Sequence, residues 1–239
     1  MIVLEIAFLV ILLVVFPWMA HRSFPVVMRA IVDGGPDARV REYRRTAASQ
    51  WVLCLAGVAL WIAGGRSLEE LGFVAPAGRG FWAALAVAAA AAAALQVQLL
   101  SVRGSDASRR EVRSQLGGSL VFLPRTPRDG AAFVLVSITA GVCEEILFRG
   151  WLMGWLVPRA GLPAAFGLGV LLFALAHSYG GRALALRAGA MGVVLTALFV
   201  LSGSLWVPIA LHVFVDANAG QLSVAAHSDA PVAEAEMVT

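Results

Sequence analysis

The sequence predicts an all-α protein, a polytopic bundle of about seven transmembrane helices with a polar cavity inside the membrane. Of the 239 residues, 60% are hydrophobic and 14% are charged, whereas a soluble domain is roughly half apolar and a quarter charged. The mean hydropathy is +0.83. The apolar residues form successive runs of about the 20 residues that a membrane helix needs, and charged residues stand inside the later runs. These observations exclude an ordinary soluble domain.

The apolar runs are separated by turn residues or by polar loops. The predicted spans are residues 2–20, 46–63, 80–100, 131–157, 164–178, 183–201 and 205–220. Glycine, proline and serine mark most of the turns between them, at Gly64-Gly65, Pro158, Gly161–Pro163, Gly180-Gly181 and Ser202–Ser204. The alanine run Ala88–Ala94 predicts a small-residue packing face on the third span.

The chain divides into three predicted parts. Residues 1–130 hold the N-terminal spans and their loops, residues 131–220 hold the functional core, and residues 221–239 form a polar tail that we expect to be disordered. Arginine is concentrated in the loops after the first and third spans. Because cytoplasmic loops carry an excess of basic residues, we expect these loops and the C-terminus in the cytoplasm and the N-terminus outside.

All 18 basic residues are arginine, and the chain is rich in alanine and glycine. Genomic base composition explains this usage better than a chemical role does, so the pI of about 9.5 predicts no nucleic-acid partner. The composition is typical of a bacterial chain. We therefore expect an integral protein of a bacterial inner membrane, with the lipid bilayer as one of its partners.

Two adjacent carboxylates and one guanidinium interrupt the apolar run 131–157, within the stretch Gly141–Gly150. A charge at the centre of a membrane helix costs about 2.5–3.5 kcal/mol on insertion scales, so these charges are expected to be paired or functional. Glu145 and Arg149 are four residues apart and share a helix face, which predicts an ion pair between them. Glu144 points in another direction, so its partner must come from another helix.

Three ionisable residues in later spans are candidate partners for Glu144. His177 ends the fifth span, and the seventh carries His212 and Asp216, which are four residues apart and share a face. A carboxylate and a histidine that share one water molecule can activate it as a nucleophile. A second histidine could then stabilise the oxyanion of an attacked amide. The same four residues, Glu144, His177, His212 and Asp216, could alternatively bind zinc with an open position for water.

Both of these possibilities predict hydrolysis of a peptide bond. Neither a phosphate-binding glycine loop nor a serine or cysteine nucleophile with an adjacent base is evident in the sequence.

Three ordered motifs resemble those of a known family. They are Glu144-Glu145-x-x-x-Arg149, Phe173-x-x-x-His177 and His212-x-x-x-Asp216, each on a separate apolar span. In this order they are similar to the motifs of the CPBP family, which comprises type II CAAX prenyl endopeptidases and bacteriocin-processing (Abi) intramembrane proteases. The resemblance covers residues 141–218.

The resemblance implies an all-helical fold with a water-filled cavity that opens toward the cytoplasm. It assigns water activation to Glu144 and His177, oxyanion stabilisation to His212 and Asp216, a supporting role to the pair Glu145 and Arg149, and motif packing to Phe173. Some family members have asparagine where this chain has Asp216. An ionised carboxylate cannot donate a hydrogen bond to an oxyanion, so Asp216 must be protonated, orient His212 or bind a metal.

The leading hypothesis is an intramembrane endopeptidase, of the glutamate type or metal-dependent. Its expected substrate is a membrane-anchored protein, a C-terminal sorting peptide or a bacteriocin-type peptide rather than a prenylated CAAX protein. A metal-free site is favoured over a zinc site because the His-Glu-x-x-His spacing of helical zinc sites is absent. The alternatives are a non-catalytic membrane scaffold or self-immunity protein, and a proton-coupled transporter. The lack of a detectable internal repeat argues against transport.

Overall fold

The computed structural model describes residues 1–116 and 121–228, and within them it contains helices and no strand. The predicted all-α class is therefore confirmed. The helices are α1 (Ile2–Asp33), α2 (Ala38–Ala63), α3 (Gly78–Gly104), α4 (Asp106–Leu116), α5 (Pro127–Glu145), α6 (Met153–Ala176), α7 (Arg182–Ser202) and α8 (Trp206–His227). The π-helical segment Ile146–Leu152 joins α5 to α6, and a short 3-10 turn, Ser178–Gly180, follows α6.

In the described residues, six helices are long and apolar enough to cross a membrane. The longest is the stretch Pro127–Ala176 of 50 residues, which covers the predicted span 131–157 and most of the predicted span 164–178. Its backbone leaves the helical conformation at Gly161, where φ is 78° and ψ is 162°. Glycine adopts this conformation without the steric cost that a side chain would add. The break separates the fourth and fifth predicted spans, and the polytopic helical bundle is confirmed.

Several helices are longer than predicted. Helix α1 continues past residue 20 through the segment 21–33, which was predicted as part of a basic loop, and it ends before Gly35, whose φ is 76°. Helix α2 begins at Ala38 instead of residue 46, and α8 continues past residue 220 to His227. Arginine was interpreted as a loop signal, but its long apolar stem lets it lie on the end of a membrane helix while its charge reaches water. Of the predicted disordered tail, residues 229–239 lie outside the described residues.

Polar contacts join the arginine-rich segments at one end of the bundle. Arg39 of α2 forms an ion pair with Asp129 of α5, with 3.3 Å between Nη1 and Oδ2. At the same end, Arg103 of α3 donates a hydrogen bond to Gln221 of α8 at 3.2 Å. The segments that the arginine distribution placed on one side of the membrane are thus held together.

A second polar cluster lies at the opposite end, around the buried carboxylate of Glu5. It accepts a hydrogen bond from Trp155 Nε1 at 3.1 Å and pairs with Arg66 and Arg159. This cluster ties α1 to the loop after α2 and to α6. The segments predicted on the second side of the membrane are therefore grouped as well, and which side faces the cytoplasm remains a prediction.

Helix α5 lies at the centre of the bundle, where it packs against α2 and α8. The approach to α8 is close at Gly141, where an added Cβ would lie 2.8 Å from the backbone nitrogen of Val213. Small residues allow such close helix contacts within membranes. This contact brings the motif residues of α5 next to His212, the neighbour of Val213 on α8.

Candidate active site

The ion pair expected from helix spacing is present between Glu145 and Arg149. Glu145 Oε1 and Arg149 Nη1 are 2.7 Å apart, and both side chains are almost completely buried. Arg149 also donates from Nε to Thr196 Oγ1 and from Nη2 to the carbonyl of Gly192, each at 3.3 Å. The guanidinium lies 4.4 Å from the centre of the Phe173 ring, a cation–π contact. Arg149 thus joins the motif helix to α6 and α7.

His212 is oriented by the same carboxylate. Its Nδ1 lies 2.8 Å from Glu145 Oε1, and because an ionised carboxylate only accepts, Nδ1 carries the proton of this hydrogen bond. The other ring nitrogen, Nε2, lies 3.7 Å from Asp216 Oδ2 and 4.0 Å from Glu144 Oε2. Glu145 therefore accepts from Arg149 and His212 through one oxygen and links the first motif to the third.

His177 is held by its own helix end. Its Nδ1 lies 2.8 Å from the carbonyl oxygen of Phe173, which can only accept, so Nδ1 is the protonated nitrogen. When the ring carries only this proton, Nε2 is an acceptor, and it lies 3.7 Å from Glu144 Oε2. Phe173 packs beneath the imidazole, with 4.6 Å between the ring centres. Phe173 thus contacts both His177 and Arg149, and it joins the second motif to the first.

The two oxygens of Glu144 have different surroundings. Oε1 accepts a hydrogen bond from Gln50 Nε2 at 2.9 Å. Oε2 is buried and has no hydrogen-bond partner within residues 1–116 and 121–228, although His177 and His212 each turn Nε2 toward it. The Glu144 side chain is 16% exposed, whereas that of Glu145 is 0% exposed. Glu144 is therefore the more accessible of the two carboxylates.

The structure thus brings together all four predicted site residues. Asp216 is the most exposed of them, with 34% of its side chain accessible. Two further residues of the site, Gln50 and Tyr179, were missed from the sequence. Both are polar residues outside the three motifs, and their positions carry no spacing signal that connects them with Glu144.

Tyr179 lies in the turn after α6, next to the His177 ring. The two ring centres are 6.1 Å apart, and Phe24 of α1 packs on the other side of Tyr179 at 5.2 Å. Burial raises the pKa of the Tyr179 phenol above its usual value, and the nearby carboxylates of Glu144 and Asp216 add to this effect. The phenol therefore stays neutral and keeps its hydroxyl proton at physiological pH.

Two cavities lie outside this cluster. One, of about 330 Å³, is lined by residues of α1 that include Trp18 and His21, and by Ser178. The other, of about 440 Å³, lies between α3, α5 and α8 near Arg103. The water-filled cavity that the resemblance implies at Glu144 therefore stays a prediction.

A metal site finds no support in the positions of the possible ligands. In the part of the chain that the structure describes, no group of three or more His, Cys, Asp or Glu side chains is arranged to hold a metal ion. The zinc alternative on Glu144, His177, His212 and Asp216 stays a prediction. The mechanism proposed below uses no metal ion.

Comparison with known proteins covers the region that contains all three motifs. Residues 127–218 match the family model described as type II CAAX prenyl endopeptidase Rce1-like. No curated protein and no solved structure matches the chain. The matched range begins with α5 and ends on α8 just after Asp216. The resemblance predicted from the motifs is therefore confirmed: residues 127–218 of this integral membrane protein match the family model of Rce1-like, type II CAAX prenyl endopeptidases.

Proposed function

We propose that the protein is an intramembrane endopeptidase that hydrolyses a peptide bond of a membrane-associated substrate with water activated by Glu144 and His177. One observation supports this function above the others. Glu144 Oε2, a buried carboxylate oxygen without a hydrogen-bond partner among the described residues, faces the unprotonated Nε2 of His177 at 3.7 Å. Two acceptors at this separation suit one water molecule that donates a hydrogen bond to each of them.

The first step is attack by this water. One of its protons moves to Glu144 Oε2 as its oxygen bonds to the carbonyl carbon of the substrate, and His177 Nε2 orients the second proton. General base catalysis of this kind contributes about 10²–10⁴-fold to a rate. Glu144 then gives its proton to the leaving nitrogen as the C–N bond breaks. The products are a new carboxyl terminus and a new amine, and Glu144 returns to its ionised form.

The oxyanion that forms on the attacked carbonyl needs a hydrogen-bond donor. Because His212 Nδ1 is engaged with Glu145, Nε2 is the ring nitrogen that can serve the substrate, and it lies 3.7 Å from Asp216 Oδ2. We propose that His212 and Asp216 share one proton and offer it to the oxyanion. The buried pair of Glu145 and Arg149 fixes His212 for this task.

The proposed substrate is a peptide segment at the membrane. The Rce1-like description refers to prenylated CAAX sequences, whereas the bacterial composition favours an unprenylated membrane-anchored or bacteriocin-type peptide. The test uses purified protein in liposomes with two internally quenched peptides. One has an S-farnesylated C-terminal CAAX sequence, and the other is a lipid-anchored peptide without a prenyl group. We expect cleavage of the unprenylated peptide. Cleavage of the farnesylated peptide alone would overturn this substrate class, and cleavage of neither would contradict the proposed function.

The metal-free mechanism makes a prediction at Asp216. Asp216→Asn should keep or raise activity, because an amide donates to the oxyanion without needing a shared proton. The kcat of Asp216→Ala should be about 10²-fold lower than that of the wild type, which is the usual cost of removing one oxyanion donor. Purified protein should contain no stoichiometric zinc by elemental analysis, and chelators should leave its activity unchanged. Stoichiometric zinc whose removal abolishes activity, with a weakened metal affinity in Asp216→Asn, would contradict the metal-free mechanism.

The proposed orientation places the arginine-rich end of the bundle in the cytoplasm of a bacterial cell. Two exposed positions test it, Ser114 on α4 and Ala75 in the loop before α3. The two native cysteines are buried, so they should react little. A membrane-impermeant maleimide should label Ala75→Cys from outside the inner membrane, and Ser114→Cys only after that membrane is opened. The reverse pattern would contradict both the orientation and a site that opens toward the cytoplasm.

A further inference from the structure

Helix α2 lies outside the region that matches the family, but it contributes one side chain to the site. Gln50 Nε2 donates a hydrogen bond to Glu144 Oε1 at 2.9 Å. Because the carboxylate of Glu144 can only accept this hydrogen bond, the amide nitrogen of Gln50 must face it, and this fixes the orientation of the amide. The amide oxygen, Gln50 Oε1, is buried and has no hydrogen-bond partner among residues 1–116 and 121–228. Two acceptors without partners, Gln50 Oε1 and Glu144 Oε2, thus belong to side chains that are in direct contact.

Two further contacts fix α2 against α5 around Gln50. On the next residue of α2, Trp51 Nε1 donates to Thr139 Oγ1 of α5 at 3.2 Å. One helical turn beyond Gln50, Cys54 and Cys143 of α5 are free cysteines buried in the same apolar core cluster. The position of Gln50 relative to Glu144 is therefore set by packing between the two helices.

We infer that Gln50 is a positioning residue for the peptide hydrolysis proposed above. Its amide holds Oε1 of Glu144, so that Oε2 is the oxygen that faces His177 and receives the proton of water. The inference rests on the proposed function. The rate of an enzyme reaction falls steeply when a catalytic group leaves its productive position, by about 10²-fold for a displacement near 1 Å. A hydrogen bond that fixes one carboxylate oxygen prevents such a displacement of the other.

The variant Gln50→Met tests the inference, because methionine has a similar length and cannot hydrogen-bond the carboxylate. In the liposome assay with the two quenched peptides, we expect kcat to fall by about 10- to 100-fold while KM stays within roughly twofold. The matched control is Trp51→Phe, which removes a hydrogen bond between the same two helices without touching Glu144. The control should keep kcat close to that of the wild type, even if both variants lose similar thermal stability.

A second variant, Gln50→Glu, keeps the shape of the side chain and makes its hydrogen bond depend on a proton. A protonated carboxyl at position 50 can still donate to Glu144, and an ionised one cannot. The kcat of Gln50→Glu relative to wild type should therefore fall as the pH is raised. The same ratio for Trp51→Phe should stay flat. The other ionisable side chains around Glu144 are present in both proteins, and they are Cys143, Glu145, Arg149, His177, Tyr179, His212 and Asp216.

The outcomes separate this inference from the proposed function. If Glu144→Gln is inactive but Gln50→Met has the kcat of the wild type, the proposed function stands and the inference is overturned. The inference is also overturned if Trp51→Phe loses as much kcat as Gln50→Met, or if the kcat ratio of Gln50→Glu does not change with pH. If Glu144→Gln keeps its activity, the proposed function fails, and the role of Gln50 fails with it.

Discussion

Glu144→Gln should abolish peptide cleavage and leave the folded protein intact. Glutamine keeps the shape of the side chain but cannot accept a proton from water, so the loss in kcat should be about 10²–10⁴-fold. Glu144 forms no ion pair of the kind that Glu145 forms with Arg149, and its side chain is 16% exposed. The cost in stability should therefore be that of a typical point substitution, about 1 kcal/mol, and well below that of Glu145→Gln.

One control and one further test accompany this substitution. Glu69→Gln makes the same change of charge at an exposed position in the loop after α2, and it should leave both cleavage and thermal stability unchanged. His177→Ala removes the second group that holds the water and should lose activity while the fold persists. Substantial cleavage by Glu144→Gln on an equal amount of folded protein would contradict the assignment of Glu144 as the general base.

Glu145→Gln should have its largest effect on stability. Glu145 is 0% exposed and accepts hydrogen bonds from Arg149 at 2.7 Å and from His212 at 2.8 Å. Its neutralisation leaves the guanidinium of Arg149 buried without a counter-charge, and breaking a buried ion pair in this way costs about 3–5 kcal/mol. Yield and unfolding temperature should fall sharply. The protein that remains folded should cleave peptides with a lower kcat, because His212 loses its charged orienting partner.

The matched control for Glu145→Gln is the exposed ion pair between Asp37 and Arg128, whose charged atoms are 2.7 Å apart. Asp37→Asn should change stability by no more than about 1 kcal/mol, because exposed pairs contribute little. Equal losses of stability in Glu144→Gln and Glu145→Gln would show that the two glutamates do not have the different roles proposed for them.

Helix spacing alone was enough to predict the ion pair of Glu145 and Arg149, because both residues lie on one helix and their separation sets their direction. The convergence of His177 and His212 on Glu144 was predicted from ionisable residues inside apolar spans, and the resemblance to the family motifs implied it as well. The hydrogen bond from His212 to Glu145 was not predicted. It depends on how α8 packs against α5, which no spacing within a single helix can show.

Gln50 and the extended helix ends show the limits of the sequence more clearly. Gln50 is 94 residues from Glu144 in the chain, and their contact exists only because α2 packs against α5. The helix ends were misjudged for a different reason. Arginine near a membrane surface fits a loop and the end of a helix equally well, because its charge reaches water from both. Hydropathy therefore located the membrane spans but not the full lengths of α1 and α2.

The central claim is that Glu144 and His177 activate water for attack on a peptide bond. Its most direct test is cleavage of the quenched peptides by wild-type protein and by Glu144→Gln in water enriched in oxygen-18, with the fragments analysed by mass spectrometry. We expect the wild type to release two fragments, with the heavy oxygen in the new carboxyl terminus, and the variant to release none. Absence of cleavage by the wild type, or equal labelled product from the variant, would contradict the claim.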